Sequence, residues 1–244
     1  MKDISDTAFS TSGLKTIKGY SESYAQSFAK DKGYEFIQLD ITGHWETEGD
    51  NTYYVNANGN KVKGWQKIGN FRYYFGEDYA MVKGWQKISG KWYYFNDKGE
   101  MQTGWQKISK KWYYLDKNGA MQTGWQKIGG KWYYFAKSGA MKTGWLKLDG
   151  KWYYLNDSGV MQTGWKKISG KWYHMTSSGV MQTGWQKISD SWYYFTESGA
   201  MKTGWLKLDG KWYYLNENGV MVTGSQKIGS KTYKFNSSGV CQNP

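Results

Sequence analysis

Short runs of alternating apolar and polar residues fill most of this chain, and glycine or a polar pair separates each run from the next. Residues 84–95, GWQKISGKWYYF, contain two such runs around Ser89 and Gly90. Runs rich in Trp, Tyr, Ile and Phe on either side of a two-residue, glycine-containing turn are typical of a β-hairpin. The pattern therefore predicts strands, and it contains nothing of helical period over this stretch.

The turn fixes which residues oppose each other. With Ser89 and Gly90 at the tip, Lys87 faces Trp92 and Trp85 faces Tyr94, and directly opposed residues share one face of a hairpin. The faces follow by alternation. One face carries Trp85, Lys87, Trp92 and Tyr94, and the other carries Gln86, Ile88, Lys91 and Tyr93.

The hairpin pattern repeats every twenty residues without an insertion. The first tryptophan of each unit follows a glycine: Trp65, Trp85, Trp105, Trp125, Trp145, Trp165, Trp185 and Trp205. The second tryptophan lies seven residues later: Trp92, Trp112, Trp132, Trp152, Trp172, Trp192 and Trp212. Steps of twenty in either direction reach Trp45 and Ser225, so ten units result and those at the ends are degenerate.

A single two-stranded hairpin is marginally stable in water, so neighbouring units must stack to share apolar surface. The sequence predicts an all-β protein over residues 44–244, a β-solenoid of stacked β-hairpins with atypical units as caps. Residues 1–43 lack the period. They predict a small α+β N-terminal segment with strands at Leu14–Ile17 and Glu35–Leu39, and a helix at Ser21–Lys32 that Ser21 caps and Gly33 ends.

Composition narrows the function. Aromatic residues make up 19% of the 244 residues, so aromatic rings must supply most of the buried surface. The net charge of +13 favours a polyanionic partner. The lone Cys241 is expected to be a small apolar residue, and no Cys/His spacing predicts a metal site or a cofactor. Neither a signal-peptide core nor a long apolar run occurs, which predicts a soluble fragment or mature form without a transmembrane segment.

One face of each hairpin presents two indoles and a tyrosine, and this face recurs once per unit. An indole face attracts cations, and an aromatic box suits a quaternary ammonium group, which donates no hydrogen bonds. The alternative is that the rings only pack the solenoid. Repeated Ile and Phe positions already supply a core, and a hairpin this small has little interior for two more indoles, which favours a binding surface.

From Gly84 to Thr223 the units follow the pattern GWxKIxGKWYYFxxxGxMxT. This pattern resembles the choline-binding repeats of pneumococcal and related Gram-positive surface proteins. The resemblance implies a left-handed superhelix of hairpins and a non-catalytic module that binds phosphocholine of teichoic or lipoteichoic acid. It also implies a secreted protein attached to the cell wall, of the adhesin or virulence class. In that family two tryptophans of one unit and a tyrosine of the next form each site, often with a methionine.

Carried onto this chain, the resemblance implies choline cages built from a first tryptophan, a second tryptophan and a tyrosine twenty-nine residues after the first. The five intact cages are Trp85, Trp92 and Tyr114; Trp105, Trp112 and Tyr134; Trp125, Trp132 and Tyr154; Trp165, Trp172 and Tyr194; and Trp185, Trp192 and Tyr214.

Four further cages depart from the rule. The cage of Trp145 and Trp152 has His174 in the tyrosine position, and the cage of Trp205 and Trp212 has Lys234, which predicts an empty or weak site. Arg72 and Thr52 replace the second tryptophan of the first two units. Protonation of His174 would repel a cation, so this site alone is expected to lose choline below about pH 6.5. The alternative is a tolerated substitution without regulatory meaning.

A lysine also recurs every twenty residues, opposite the second tryptophan. It is a candidate contact for the phosphate beside each choline, although a solubilising charge laid across the opposed indole is favoured. The row is Lys67, Lys87, Lys107, Lys127, Lys147, Lys167, Lys187, Lys207 and Lys227.

The stretch AFSTSGLKTIKGYSESYAQSFAKDKGYEFIQLD resembles the closing repeat of BspA-type leucine-rich-repeat proteins. If so, residues 1–43 end a longer protein whose upstream region binds a host ligand. A small independent cap on the solenoid is the alternative.

The sequence also bears on three other classes of function. The sequence does not support an enzyme, because it contains no recognisable nucleophile with a general base beside it. His44 and His174 are the sole histidines. Carbohydrate binding, as in glucan-binding repeats, is the main alternative. Nucleic-acid binding could use lysines and aromatic rings, but it does not require so strict a spacing.

Overall fold

The computed structural model describes residues 16–19, 24–38 and 43–244. The chain divides into two compact units, the first made of Met1–Gln106 with Leu115–Met121 and the second of Lys107–Tyr114 with Gln122–Pro244. Hairpins of the twenty-residue repeat build most of both units. The predicted class, stacked β-hairpins with a small α+β N-terminal segment, is confirmed.

The N-terminal segment is a β-α-β element. Strands β1 (Thr16–Gly19) and β2 (Glu35–Gln38) pair in parallel, and helix α1 (Tyr24–Lys32) joins them. Gly33 ends the helix at φ +67°, a conformation that glycine adopts without strain. Ile17, Phe28 and Ala29 form its buried core. Leu14, Ser21 and Leu39, which the sequence places in these elements, lie outside the described residues, and the domain boundary at residue 43 stays a prediction.

In the part of the chain that the structure describes, no helix has both the length and the apolar character needed to cross a membrane.

Residues 43–244 form ten two-stranded hairpins. The first strands are β3 (His44–Glu48), β5 (Gly64–Ile68), β7 (Gly84–Ile88), β9 (Gly104–Ile108), β11 (Gly124–Ile128), β13 (Gly144–Leu148), β15 (Gly164–Ile168), β17 (Gly184–Ile188), β19 (Gly204–Leu208) and β21 (Gly224–Ile228). The second strands are β4 (Asn51–Val55), β6 (Phe71–Phe75), β8 (Lys91–Phe95), β10 (Lys111–Leu115), β12 (Lys131–Phe135), β14 (Lys151–Leu155), β16 (Lys171–Met175), β18 (Ser191–Phe195), β20 (Lys211–Leu215) and β22 (Lys231–Phe235).

The predicted register is confirmed. In the hairpin of β7 and β8, Trp85 opposes Tyr94 and Lys87 opposes Trp92. The tip residues Ser89 and Gly90 have φ of 48° and 80°. Positive φ at both central residues is the hallmark of the type I′ turn, whose twist matches that of the strands.

The core lies at the end of each second strand. Phe95, Phe135, Leu155, Phe195 and Leu215 are fully buried, with relative exposures of 0%. This position is ten residues after the first tryptophan, on the face of the hairpin opposite the two indoles. One fully buried apolar side chain per repeat is a small core, so contacts between repeats must supply the remaining stability.

A backbone hydrogen bond ties each repeat to the one before it. The amide of Met161 donates to the carbonyl of Trp132 at 2.8 Å, and that of Met181 donates to Trp152 at 2.8 Å. The same methionines bridge the end of their own second strand, where Met161 pairs with Leu155. The carbonyl of the second tryptophan is therefore fixed by the following repeat.

The methionine side chain packs against a glycine of the next repeat. A Cβ atom added to Gly179 would lie 2.4 Å from Sδ of Met161, and Gly179 has φ +82°. The one unit with lysine at the methionine position, Lys61, is followed by Tyr79 instead of glycine, at φ +65°. Glycine is thus required both by its backbone angle and by the methionine that rests on it.

We expect Gly179→Ala to lower the free energy of unfolding by about 3 kcal/mol, because a positive φ costs alanine about 1–2 kcal/mol and overpacking against Met161 adds about 1–3 kcal/mol. Urea denaturation measures the change.

Gly164→Ala is the matched control, since Gly164 has φ +66° with no atom within 4 Å of an added Cβ. It should lose only the backbone contribution. Equal losses in the two variants would show that contact with the methionine carries no weight.

Candidate functional site: aromatic cages between hairpins

The two tryptophans of a hairpin stand at right angles to each other. In the second compact unit their ring centroids are 6.0–6.5 Å apart and their planes meet at 85–89°. These pairs are Trp125 with Trp132, Trp145 with Trp152, Trp165 with Trp172, Trp185 with Trp192, and Trp205 with Trp212. Each pair forms two walls of an open corner.

A tyrosine of the following hairpin forms the third wall, and it is the first of the Tyr-Tyr pair. Tyr153 lies 5.1 Å from Trp125 between ring centroids, and Tyr193 lies 4.8 Å from Trp165. The spacing is twenty-eight residues from the first tryptophan, one fewer than the sequence rule predicts.

The second tyrosine of each pair belongs to its own hairpin. Tyr134 lies edge-on to Trp125 at 5.2 Å, Tyr154 to Trp145 at 5.1 Å and Tyr194 to Trp185 at 5.3 Å. Tyr214 packs in the same way on Trp205, also at 5.2 Å, and Tyr114 lies 6.5 Å from the core residue Phe135. The predicted third walls Tyr154, Tyr194 and Tyr214 thus pack on the first tryptophan of their own hairpins, and their part in a choline cage stays a prediction.

The reason is the direction of stacking. Alternation along the strand puts the second tyrosine on the same face as its own two indoles and the first tyrosine on the opposite face. In the hairpins of the second compact unit, the back of one hairpin covers the face of the hairpin before it, which brings the first tyrosine against the preceding indole. The cages predicted from Trp85 with Trp92 and from Trp105 with Trp112 draw residues from both compact units, and they stay predictions.

Methionine supplies a fourth wall, and a turn from two repeats further on lies at the rim. Trp165, Trp172, Tyr193 and Met201 line a cavity of about 250 Å³ together with Glu217 and Asn218. The next cavity, of about 360 Å³, has Trp185, Trp192, Tyr213 and Met221 in the corresponding places, with Ser237 and Ser238 at the rim. The sequence rule missed the rim residues, since they lie more than fifty positions from the first tryptophan.

His174 packs within its own hairpin, and its predicted place in the cage of Trp145 and Trp152 stays a prediction. It opposes Trp165 in its own hairpin, with ring centroids 5.0 Å apart, and its Nδ1 pairs with Oε1 of Gln182. Tyr173 takes the third-wall position beside Trp145, at 4.9 Å. The loss of choline at low pH expected for this cage stays a prediction, and Tyr173 is a second candidate for the same wall.

The last cage is also complete. Trp205, Trp212 and Tyr233 line a cavity of about 320 Å³ with Pro244. Tyr233 lies 4.8 Å from Trp205, whereas Lys234 opposes Ser225 in the final hairpin. The expectation of an empty site rested on Lys234, and the structure removes that ground. Cys241 holds the methionine position, buried, as expected of a small apolar residue.

At the N-terminal end a cation of the chain itself lies on the indole. The guanidinium carbon of Arg72 is 4.8 Å from the ring centre of Trp65, while Tyr93 approaches Trp65 at 4.9 Å. Lys61 lies 3.7 Å above the ring of Tyr53, and its hydrogen bond with Glu48 raises the Lys61 pKa. In these first repeats, cations of the chain itself therefore lie on aromatic rings.

Three lysines of the periodic row lie over the indole that they oppose. Lys107, Lys147 and Lys207 place their ammonium nitrogens 5.4–5.9 Å from Trp112, Trp152 and Trp212. This placement is the one expected of a charge that covers part of the exposed indole.

The second tryptophans are far more exposed than tryptophan usually is. Trp132, Trp152, Trp172 and Trp192 have relative exposures of 38–42%. Tryptophan is normally highly buried, so a row of half-exposed indoles around small cavities is the signature of a binding surface.

Comparison with known proteins gives the same picture. The choline-binding repeat family matches residues 82–123, 122–163, 162–203 and 202–241, and the family described as a putative cell wall binding repeat matches residues 45–61. A search of curated proteins finds no match.

Three solved structures from Streptococcus pneumoniae are similar. CbpJ is 34% identical, with 84% of this chain and 78% of that one covered and a TM-score of 0.72. Choline binding protein F is 33% identical, with 82% and 93% covered and a TM-score of 0.56. The choline-binding domain of CbpL is 28% identical, with 75% and 98% covered and a TM-score of 0.55. The hairpins are choline-binding repeats, and the chain belongs to the choline-binding repeat family.

Proposed function

We propose that this chain is a non-catalytic anchor that attaches a surface protein to the bacterial cell wall by binding the choline of teichoic or lipoteichoic acid. One observation carries the proposal: five consecutive pairs of indoles at right angles in the second compact unit, each approached by a tyrosine of the next hairpin.

A trimethylammonium group suits such a corner. It carries a positive charge but donates no hydrogen bond, so it gains most from ring faces and loses little when no acceptor is near. The cavities of about 250–360 Å³ lie at the low end of the range for ligand pockets, which favours a compact head group. The thioether of Met201 adds a polarisable apolar contact for the methyl groups.

The right angle between the indoles favours a cation over a sugar. A sugar ring packs one flat side on one aromatic face, and a platform of parallel rings serves it best. Walls at 85–89° instead surround a roughly spherical group. Glucan binding, the main alternative, has no comparable support from this geometry.

Many weak sites explain how the module would hold a polymer. Each ring contributes about 0.5–2 kcal/mol toward a cation, so three rings give a dissociation constant of about a millimolar. A fixed row of such sites on a polymer that repeats its ligand gains roughly 100- to 10,000-fold in avidity. The net charge of +13 adds a long-range attraction to the polymer's phosphates.

The N-terminal segment is proposed to be the end of a leucine-rich-repeat region whose upstream part binds a host ligand. The parallel β-α-β order of β1, α1 and β2 is compatible with a repeat of that kind, in which one strand and one helix alternate. In this arrangement the hairpins bind the cell wall, and the upstream region is available to the host ligand.

Replacement of Tyr193 by leucine should weaken choline binding at Trp172 by roughly 2- to 30-fold, the loss expected for one ring of the cage. Tyr194→Leu should leave the affinity at Trp172 unchanged, because Tyr194 packs on Trp185. The indole N–H resonance of Trp172, followed by NMR during a choline titration, reports on this cage alone. A loss at Trp172 in the Tyr194 variant, with none in the Tyr193 variant, would restore the twenty-nine-residue rule.

Replacement of Arg72 by tryptophan should add one bound choline per chain. The change removes the cation that lies over Trp65 and supplies the missing second indole. Equilibrium dialysis with choline measures the stoichiometry. Arg72→Ala is the control, because it removes the cation without building a wall, and it should add no site. An unchanged stoichiometry in a folded Arg72→Trp variant would contradict this view of the first cage.

A further inference from the structure

We infer that the cages of this module differ in their affinity for a cation, and that the residue fifty-two positions after the first tryptophan sets the difference. This inference rests on the proposed choline binding. Glu217 holds this position at the rim of the Trp165 and Trp172 cage, and Ser237 holds it at the rim of the Trp185 and Trp192 cage. A carboxylate at the rim strengthens binding of a quaternary ammonium, and a serine does not.

The two rims share one backbone conformation. In the first turn Asn216 Oδ1 accepts hydrogen bonds from the amides of Asn218 and Val220, at 3.0 Å each. In the second turn Asn236 Oδ1 accepts them from Ser238 and Val240, at 3.0 and 2.9 Å. Neither set of bonds uses the side chain of residue 217 or 237. The rim residue can therefore be exchanged between turns without altering their shape.

The other walls of the two cavities match. Each has two tryptophans, a tyrosine and a methionine at equivalent positions, so the aromatic contribution is the same. The lysine opposite the second tryptophan, Lys167 or Lys187, is also common to both.

Several charge differences remain around the two cavities. Besides the rim residue, Lys166 and Lys171 in the first repeat stand where Gln186 and Ser191 stand in the second. Glu217 adds a negative charge to the first. Asp190 pairs with Lys187 at 3.3 Å beside the second. Asp190 reduces the cationic field near Trp192, which works against the expected order, so exchange of the rim residue within one cage is the decisive comparison.

The carboxylate lies at a solvent-exposed rim, where water and salt screen its charge, and this screening limits its effect on the affinity for choline. Glu217 is exposed, and a charge pair in that setting changes an equilibrium constant by at most about fivefold and weakens in salt. The expected change in dissociation constant is therefore about two- to fivefold. On a multivalent surface such a factor decides which cages fill first as choline becomes available.

The same position varies through the rest of the second unit. Glu197 follows Trp145 at this spacing, and Ser177 follows Trp125. The four consecutive rims thus read Ser, Glu, Glu, Ser, with the carboxylates at the two central cages. The central cages are expected to saturate at lower choline concentration than the pair that flanks them.

Exchange of the rim residues tests the inference. In the full chain, choline chloride is titrated while the indole N–H resonances of Trp172 and Trp192 are followed by NMR, with assignments from Trp→Phe variants. Glu217→Gln should raise the dissociation constant at Trp172 about two- to fivefold and leave Trp192 unchanged. Ser237→Glu should lower the constant at Trp192 by a similar factor. Both effects should vanish at about 1 M NaCl, where the Debye length is about 3 Å.

A neutral tert-butyl analogue of choline provides the matched ligand control, because it should bind the two cages alike whichever rim residue is present. Equal choline constants at Trp172 before and after Glu217→Gln at low salt would overturn the inference while the proposed function stands. If neither resonance responds to choline at all, the proposed function fails and the inference fails with it.

Discussion

The structure depends on the way in which one hairpin covers the next. A hairpin with two strands of five residues buries one side chain completely, as Phe195 does at 0% exposure, and this is too little to hold it folded alone. Each repeat gains the rest from its neighbour through the amide of its methionine, which donates to the carbonyl of the preceding second tryptophan, as Met201 does to Trp172 at 2.7 Å. The glycine beneath each methionine allows the two repeats to approach.

The same stacking produces the cages. The hydrogen bond that joins two repeats ends on the backbone carbonyl of the second tryptophan, so it holds the backbone that carries the indole of the outer wall. The tyrosine on the back of the next hairpin then closes the corner, at 4.8 Å from Trp165 in the case of Tyr193. Binding site and repeat interface are thus one structure, and a ligand that enters the corner contacts two repeats at once. Occupied cages should accordingly stabilise the repeat array by mass action.

The sequence predicts the hairpins well because their register is arithmetic. Once Ser89 and Gly90 form the tip, the pairing of Trp85 with Tyr94 follows, and the structure has it. The third wall is harder to predict from the sequence, because most repeats contain two adjacent tyrosines. The choice between them depends on which face of the next hairpin turns toward the indoles. Strand alternation places Tyr93 and Tyr94 on opposite faces, but it does not say that hairpins stack face to back, and that stacking decides which tyrosine lies against the preceding indoles. The rim residues Glu217 and Ser237 lie two repeats away from the tryptophans, so the repeat pattern of one or two units does not identify them.

The most direct test of the account is a crystal structure of the chain with choline. One choline is expected in each of the five cages from Trp125 to Tyr233. Its quaternary nitrogen should be enclosed by the first tryptophan, the second tryptophan and the tyrosine twenty-eight residues after the first tryptophan. Choline bound outside these corners, or empty corners at a choline concentration well above a millimolar dissociation constant, would contradict the account.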